Sequence, residues 1–265
     1  MPHSHKPSSS EWSWPTLTYE VNAGYPRCQL MGVDEVGRGC IAGPVVAAAA
    51  MLPQDLAWDQ NPWLTQVTDS KALSPEKRDQ LAPQIAQWLQ ASAIGVASVE
   101  EIDQINIFHA SHLAMIRAVK ALEPLWIHQS QVHLLVDGKF LPKTGFFGLP
   151  TQAVIQGDLK CLSIACASIL AKVWRDQHLT EFEQAYPGYG FAQHKGYPTP
   201  QHTRALKSLG VTPIHRKSFK TVQAVIELGL TTHLNSSGRS KSTSLGRNGS
   251  VGVETTIMRN EEDHA

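Results

Sequence analysis

The chain has 265 residues, 42% of them hydrophobic, and a formal net charge of +0. That is enough apolar material for a sizeable core, with no overall charge to draw the protein to nucleic acid or a membrane surface, so any anion-binding surface has to be local. No run approaches the roughly 20 apolar residues of a membrane span, and the four cysteines, Cys28, Cys40, Cys161 and Cys166, form no CxxC pair; a cytoplasmic protein with buried thiols is expected, without a disulfide or zinc framework.

Residues 1–23 are rich in Ser, Pro and His without periodicity and are expected to be a flexible extension. A first strand should begin near Cys28 and a second should cover residues 43–52. The alanine run of the second, Ala47 to Ala50, has helical propensity, but the glycine turn before it and Pro53 after it favour the strand. The stretch LMGVDEVGRGCIAGPVVAAAA (residues 30–50) organises the rest. Its first apolar run ends in adjacent carboxylates, Asp34 and Glu35, where a buried strand should be hiding side chains. Gly37, Gly39 and Gly43 then let backbone amides approach a ligand, and Arg38 offers a planar cationic fork. Neighbouring strand residues point to opposite faces, so Asp34 and Glu35 can share a site only at a strand end or bulge.

Residues 54–67 read as a polar loop. Ser74-Pro75-Glu76 is a helix start, with a helix running to about Leu89 and kinked at Pro83. Residues 91–99 alternate as a third strand, and Ser98 with Glu101 forms a capping box for a helix that Pro124 ends. Residues 133–138 form a short apolar strand ending in Asp137-Gly138, and residues 153–158 form another ending in Gly157-Asp158. From Leu162 the apolar positions 162, 165, 166, 169, 170 and 173 mark the longest helix. Six Lys or Arg and no acid lie between Phe191 and Ala224, the expected local basic patch. That segment carries a helix start at Thr199-Pro200 and a stop at Gly210. A last helix is expected over residues 222–230 and a disordered tail over 233–265, leaving 24–232 as the folded domain.

Strands separated by helices, with acids at the strand ends, point to an α/β sheet whose site lies at one edge of the strands. Acids gathered there repel one another unless lysines, arginines or hard divalent cations neutralise them, and the His and Cys spacing does not support zinc.

Several segments together carry a resemblance. They are Gly32-Val33-Asp34-Glu35-Val36-Gly37-Arg38-Gly39, Asp69-Ser70-Lys71, Val136-Asp137-Gly138, Gly157-Asp158, Ala167-Ser168-Ile169-Leu170-Ala171-Lys172-Val173 with Arg175-Asp176, His194-Lys195-Gly196-Tyr197 and Pro213-Ile214-His215-Arg216. In this order the set resembles bacterial ribonuclease HII over roughly residues 30–220. The resemblance implies a ribonuclease H-like fold, a mixed five-stranded sheet flanked by helices with a C-terminal helical region. It implies a monomeric endonuclease that cuts the RNA strand of RNA/DNA hybrids and single ribonucleotides in duplex DNA, using Mn²⁺ or Mg²⁺. By motif, Asp34, Glu35, Asp137 and Asp158 would be the metal-binding and catalytic acids. Gly37, Arg38 and Gly39 would read the ribose 2′-OH, Tyr197 would pack on the sugar at the junction, and Lys71, Lys172 and Arg216 would contact phosphates. The resemblance leaves open whether a replication clamp binds the tails. Cys166 stands where many members have Ala, Pro83 interrupts a helix, and neither tail is shared. A non-catalytic hybrid-binding module would not need four acids, and Gly37-Arg38-Gly39 with Tyr197 argues against another metal nuclease on the same fold.

Overall fold

The structure, a computed structural model, describes residues 15–229 and, as backbone, residues 257–259. Strand β1 (Gln29–Val36) is buried until its last two residues. A strand covered on both faces has no solvent side with which to alternate, so it reads as a continuous apolar run. Strand β2 (Val45–Met51) is buried throughout. Its alanines do form strand: Ala48 and Ala50 join one core layer and Ala47 and Ala49 the other. Pairing on both edges outweighs their helical propensity.

The remaining elements are helix α1 (Thr18–Asn22), helix α2 (Pro75–Trp88), strand β3 (Ala91–Ala97), helix α3 (Val99–Ala121), strand β4 (Val132–Asp137), strand β5 (Thr151–Val154) and helix α4 (Leu162–Ala185). Helices α5 (Phe191–His194), α6 (Pro200–Leu209) and α7 (Lys220–Glu227) make up the C-terminal helical region. The strand order is β5-β4-β1-β2-β3, with β1, β2 and β3 antiparallel in succession and β4 and β5 parallel to β1. One core layer packs α3 on the sheet and the other packs α2 and α4 on the opposite face. These five strands are the mixed sheet that the resemblance implies, and a sixth, described below, joins its β3 edge.

Two glycines set the distance between layers. A Cβ on Gly32 would fall 2.1 Å from the Ser163 carbonyl carbon of α4, and one on Gly95 would fall 2.1 Å from the Ala114 carbonyl oxygen of α3. Each lets a helix backbone rest directly on the strand.

Three local expectations change. The N-terminal extension is ordered before residue 23, because α1 docks at the N-terminal end of α4. Glu20 is fully buried, and its carboxylate accepts the Ser163 amide at 3.0 Å and the Ser163 hydroxyl at 2.9 Å. Cys161, at the N-cap position of α4, makes no side-chain cap bond, so an acid distant in sequence caps that helix and meets its positive end. Helix α2 ends at Trp88 with Leu89 as its C-cap, as expected, and holds Pro83 inside it. Residues 54–67 include two 3-10 turns, Trp58–Gln60 and Pro62–Gln66. Helix α3 opens at the expected capping box but breaks at Asn106, φ 65°. The Asn106 Oδ1 accepts from the Phe108 and His109 amides and so caps a fresh helical segment.

In the C-terminal region, Thr199 caps α6 and Gly210 ends it, as the motifs predict. Strand β6 (Ile257–Arg259) pairs antiparallel with β3, so part of the expected disordered tail is a sixth strand. The rest of that tail and residues 1–14 lie outside the described residues. All four cysteines are free and buried. Among the described residues no helix is long and apolar enough to cross a membrane.

Gly32→Ala is expected to lower stability by about 1–3 kcal/mol, the usual penalty for overpacking against atoms that cannot move aside. Urea denaturation measures it, and a midpoint equal to wild type would mean that β1 and α4 are not in backbone contact.

Candidate active site

At the C-terminal end of β1 the chain leaves the sheet through residues 37–44 and returns as β2. Two arginines hold this loop, and both are completely buried. Arg175 of α4 donates from Nε to the Pro44 carbonyl at 3.1 Å, from Nη2 to Ala42 at 3.1 Å and from Nη1 to Lys195 at 2.8 Å. Arg216 donates from Nε to Gly43 at 2.8 Å, from Nη1 to Arg38 at 3.1 Å and from Nη2 to Pro44 at 3.0 Å. Burial, and then the neighbouring Arg175, pushes the Arg216 pKa down to about 9. Arg216 therefore cannot be the phosphate contact that the sequence led us to expect. Its guanidinium faces carbonyl oxygens inside the protein, with no surface to offer a ligand.

The loop is also sewn to the C-terminal region through its backbone. The Ile41 amide donates to the Gly196 carbonyl, the Gly43 amide to Ile214 and the Arg216 amide to Ile41.

The glycines of the turn separate into two kinds. Gly37 has φ +93°, and a Cβ there would lie 2.2 Å from the Arg175 Nε; the protein itself requires glycine at this position. Gly39 has no heavy atom within 4 Å of where its Cβ would be. Packing does not demand its missing side chain, so the open space is available to a ligand.

The loop borders a groove of about 190 Å³ lined by Asp34, Glu35, the Gly37–Gly39 turn, Ser70, Lys71, Ser168, Lys172 and Tyr197. Asp34 is buried, and its Oδ1 accepts the Glu35 amide at 2.7 Å. The two acids share the groove because they lie at the strand's end, where Glu35 turns to accept Arg38 Nη1 at 3.1 Å. Val33 pairs with Val136 in the parallel register, which sets Asp137 at the end of the neighbouring strand, beside Asp34. The Asp137 Oδ1 accepts the Gly157 amide at 2.7 Å. Asp158 lies in the 3-10 turn that follows β5, with its Oδ2 3.8 Å from the Lys71 Nζ.

These acids disturb one another. Burial raises the Asp34 pKa well above its ordinary value, and the charges of Glu35 and Asp137 raise it further, against a hydrogen bond from Ser168. Burial raises that of Glu35, against the pull of Arg38. Asp158 is pushed up to about 6 by burial and then by Asp69 and Asp137. Asp69 is a carboxylate that the sequence reading missed as a site residue: its charge helps to raise Asp158, and its Oδ1 accepts the Lys71 amide at 2.8 Å. Among the described residues no three His, Cys, Asp or Glu side chains close on a common point as a ready-made cage. The donor set is nonetheless all oxygen and mutually repelling, which is the chemistry that suits a hard divalent cation.

On the far side of the groove stands Tyr197, its ring 37% exposed and 5.6 Å from the Lys172 Nζ. Lys172 is itself paired with Asp176 at 2.8 Å. Three buried histidines fix the Tyr197 turn. His194 donates from Nε2 to the Tyr189 carbonyl at 2.8 Å and accepts the Gly196 amide on Nδ1 at 3.2 Å. His202 donates from Nδ1 to the Tyr197 carbonyl at 2.9 Å, so its neutral ring must accept on Nε2. The donor there is His215 Nε2, 3.1 Å away, which leaves His215 Nδ1 to accept the Thr212 amide at 3.0 Å. Burial holds His202 down to about 4 and His215 to about 3, in keeping with a relay of neutral rings.

Of the expected site residues, the structure brings Asp34, Glu35, Gly37, Arg38, Gly39, Lys71, Lys172 and Tyr197 into one groove, sets Asp137 and Asp158 at its acidic end, and turns Arg216 inward. The basic patch shrinks accordingly. Besides Arg216, Lys195 points back to the Asp176 carbonyl and the Thr180 hydroxyl, whereas Arg204, Lys207, Lys217 and Lys220 are exposed.

A family profile described as Ribonuclease HII matches residues 31–222. The ribonuclease HII of Paracoccus denitrificans is 45% identical over 218 residues, which cover 81% of this chain and 96% of that protein. The crystal structure of ribonuclease H2 from Pyrococcus horikoshii superposes with a TM-score of 0.63 at 25% identity, covering 76% of this chain and 98% of that one. The crystal structure of Bst-RNase HIII in complex with Mn²⁺ shares the fold, with a TM-score of 0.57 at 20% identity over 76% of this chain and 70% of that one.

Two measurements follow from this geometry. Gly37→Ala is expected to lower the melting temperature, whereas Gly39→Ala is expected to melt like wild type and lose ligand affinity; the reverse pattern would refute the division between the two glycines. The raised carboxyl of Asp158 binds its proton more tightly in the folded state than in the unfolded state. Its favourable contribution is therefore complete below about pH 4 and is lost as the pH rises through about 6. In metal-free buffer Asp158→Asn should melt above wild type at pH 7.5 and level with it at pH 4. A gap that does not change with pH would contradict the repulsion.

Proposed function

The chain belongs to the ribonuclease HII family, and from that membership we propose that the groove at the end of β1 receives a duplex at a single ribonucleotide and hydrolyses the phosphodiester there. The coarser activity comes with the family: the protein is a ribonuclease H, an endonuclease that acts on RNA/DNA hybrids with a divalent metal. The observation that carries the finer reading is the convergence in one groove of the strand-end acids, an open Gly39 and the ring of Tyr197.

Asp34, Glu35, Asp137 and Asp158 would hold two divalent ions, Mg²⁺ or Mn²⁺, which when bound supply an activated water and neutralise the leaving oxygen. The chain does the rest. The backbone amides of Arg38 and Gly39 donate to the 2′-OH that distinguishes ribose from deoxyribose; the room at Gly39 lets the sugar come that close. Arg38 is tied to Glu35 and so orients the carboxylate as well as the turn. Lys71, with its side chain 75% exposed, is free to leave Asp158 for a phosphate. The Tyr197 ring, held by the histidine relay below and Lys172 beside it, packs on the deoxyribose that follows the ribonucleotide, where a 2′-OH would crowd it.

Cleavage of a duplex carrying one ribonucleotide, with and without Mg²⁺ or Mn²⁺, tests the reading. Wild type should cut only with metal, and Asp34→Asn and Asp137→Asn should fold normally and not cut. Tyr197→Ala should lose far more activity on the single ribonucleotide than on an all-RNA/DNA hybrid, and Tyr197→Phe should keep most of it. Equal losses on the two substrates would place junction selectivity elsewhere, and wild-type turnover in either Asp variant would overturn the catalytic assignment.

A further inference from the structure

At the Arg38 end of the groove the surface carries an aromatic cluster that the reaction does not use. Phe140 is 58% exposed, Ile105 38% and Phe108 36%. Single exposed apolar residues need no account, but the two phenylalanines lie together. The Phe108 ring is 6.2 Å from that of Phe140 and 4.5 Å from that of His112. The Lys139 Nζ sits 5.4 Å from the Phe140 ring centre.

The backbone is specialised to present them. Asn106 breaks α3 at φ 65° and starts the helical segment that holds Phe108, and Gly138, at φ +107°, turns the chain out of β4 just after Asp137. A positive φ at a non-glycine residue is unfavourable and calls for a reason.

Two observations say what the surface takes. First, it adjoins the groove: Phe140 lies three residues beyond Asp137, which ends β4 beside Asp34, and His112, whose ring lies against Phe108, feels the charge of Arg38, which lines the groove. Second, in a protein of zero net charge, residues 138–157 carry Lys139 and Lys143 and no acid, and both lysines are exposed. Exposed aromatic rings beside a cation, Phe140 under Lys139, suit a polyanion whose sugars and bases offer flat faces.

We propose that Phe108 and Phe140, with Lys139, form a docking platform for the arm of the nucleic-acid duplex that leaves the groove past Arg38. The proposal rests on the reading of the groove above. Tyr197 takes the DNA on the 3′ side of the ribonucleotide, so the platform takes the 5′ arm. The rings pack on sugars along the edge of its minor groove, and Lys139 meets a phosphate. It extends the grip on the duplex and has no part in bond breaking.

The test is equilibrium binding by fluorescence anisotropy in EDTA, using duplexes with one ribonucleotide, a constant 3′ arm and a 5′ arm either long or cut back to a few base pairs. Wild type should bind the long-armed duplex more tightly. Phe140→Ala should weaken that binding on the order of tenfold and leave the short-armed duplex unaffected, and Phe140→Trp should bind as wild type does. Phe140 is largely exposed, so the substitution leaves the fold intact, which a melting curve checks. Unchanged binding of the long arm would overturn the proposal and leave the patch to a protein partner; an equal loss on both duplexes would overturn it too. Cleavage by wild type of the same duplexes in Mg²⁺ tests the groove separately: no cut would refute that reading, whatever the binding data say about the platform.

Discussion

Two guanidinium groups, those of Arg175 and Arg216, are buried in this protein with carbonyl oxygens as their partners, and the geometry of the site depends on that fact. An arginine does not readily shed its proton, so burying one is costly unless its donors are met. Here each meets three carbonyls, five of the six contacts falling on residues 38–44 and the other on Lys195. A loop that supplies those oxygens cannot drift without stranding a buried charge. The turn after β1, the start of β2 and the Tyr197 turn are thereby joined as one rigid body. The proposed function, telling one hydroxyl from none on a sugar, would need that rigidity, because a loose amide would donate to water as readily as to ribose.

The acids pull in the opposite sense. Parallel pairing of β1 with β4 sets Asp34 beside Asp137, and the turn after β5 adds Asp158 and its neighbour Asp69. Burial raises Asp34, Glu35 and Asp158 before their neighbours' charges do. The frame of sheet, α4 and buried arginines holds these groups together against their repulsion. In the proposed mechanism a cation would relieve that repulsion, so the instability of the apo site and its affinity for metal have one origin.

Much of this was legible in the sequence. A run such as LMGVDEV displays two charges where burial forbids them, and His194-Lys195-Gly196-Tyr197 pointed to Tyr197 through the resemblance it helps to carry. What could not be read was direction. Arg216 follows His215 in a segment without acids, and nothing in that pattern separates an arginine facing phosphate from one facing carbonyls inside. Glu20 is a single acid in a polar tail and its partner, Ser163, is far along the chain, so a long-range helix cap left no local trace. Asp69 was visible as part of a motif, yet only the fold sets it against Asp158. The break at Asn106 was hidden because the apolar positions continue on both sides of it, and a helical period persists across one residue that leaves the helix.

The central claim is that a turn fixed by buried arginines recognises a single 2′-OH through its backbone. Amide hydrogen exchange at Arg38 and Gly39, in the Asp137→Asn protein bound to either of two duplexes that differ only in that hydroxyl, measures it most directly. The account predicts added protection at these two amides with the ribonucleotide duplex and little with the all-DNA duplex. Equal protection by both, or none by either, would contradict it.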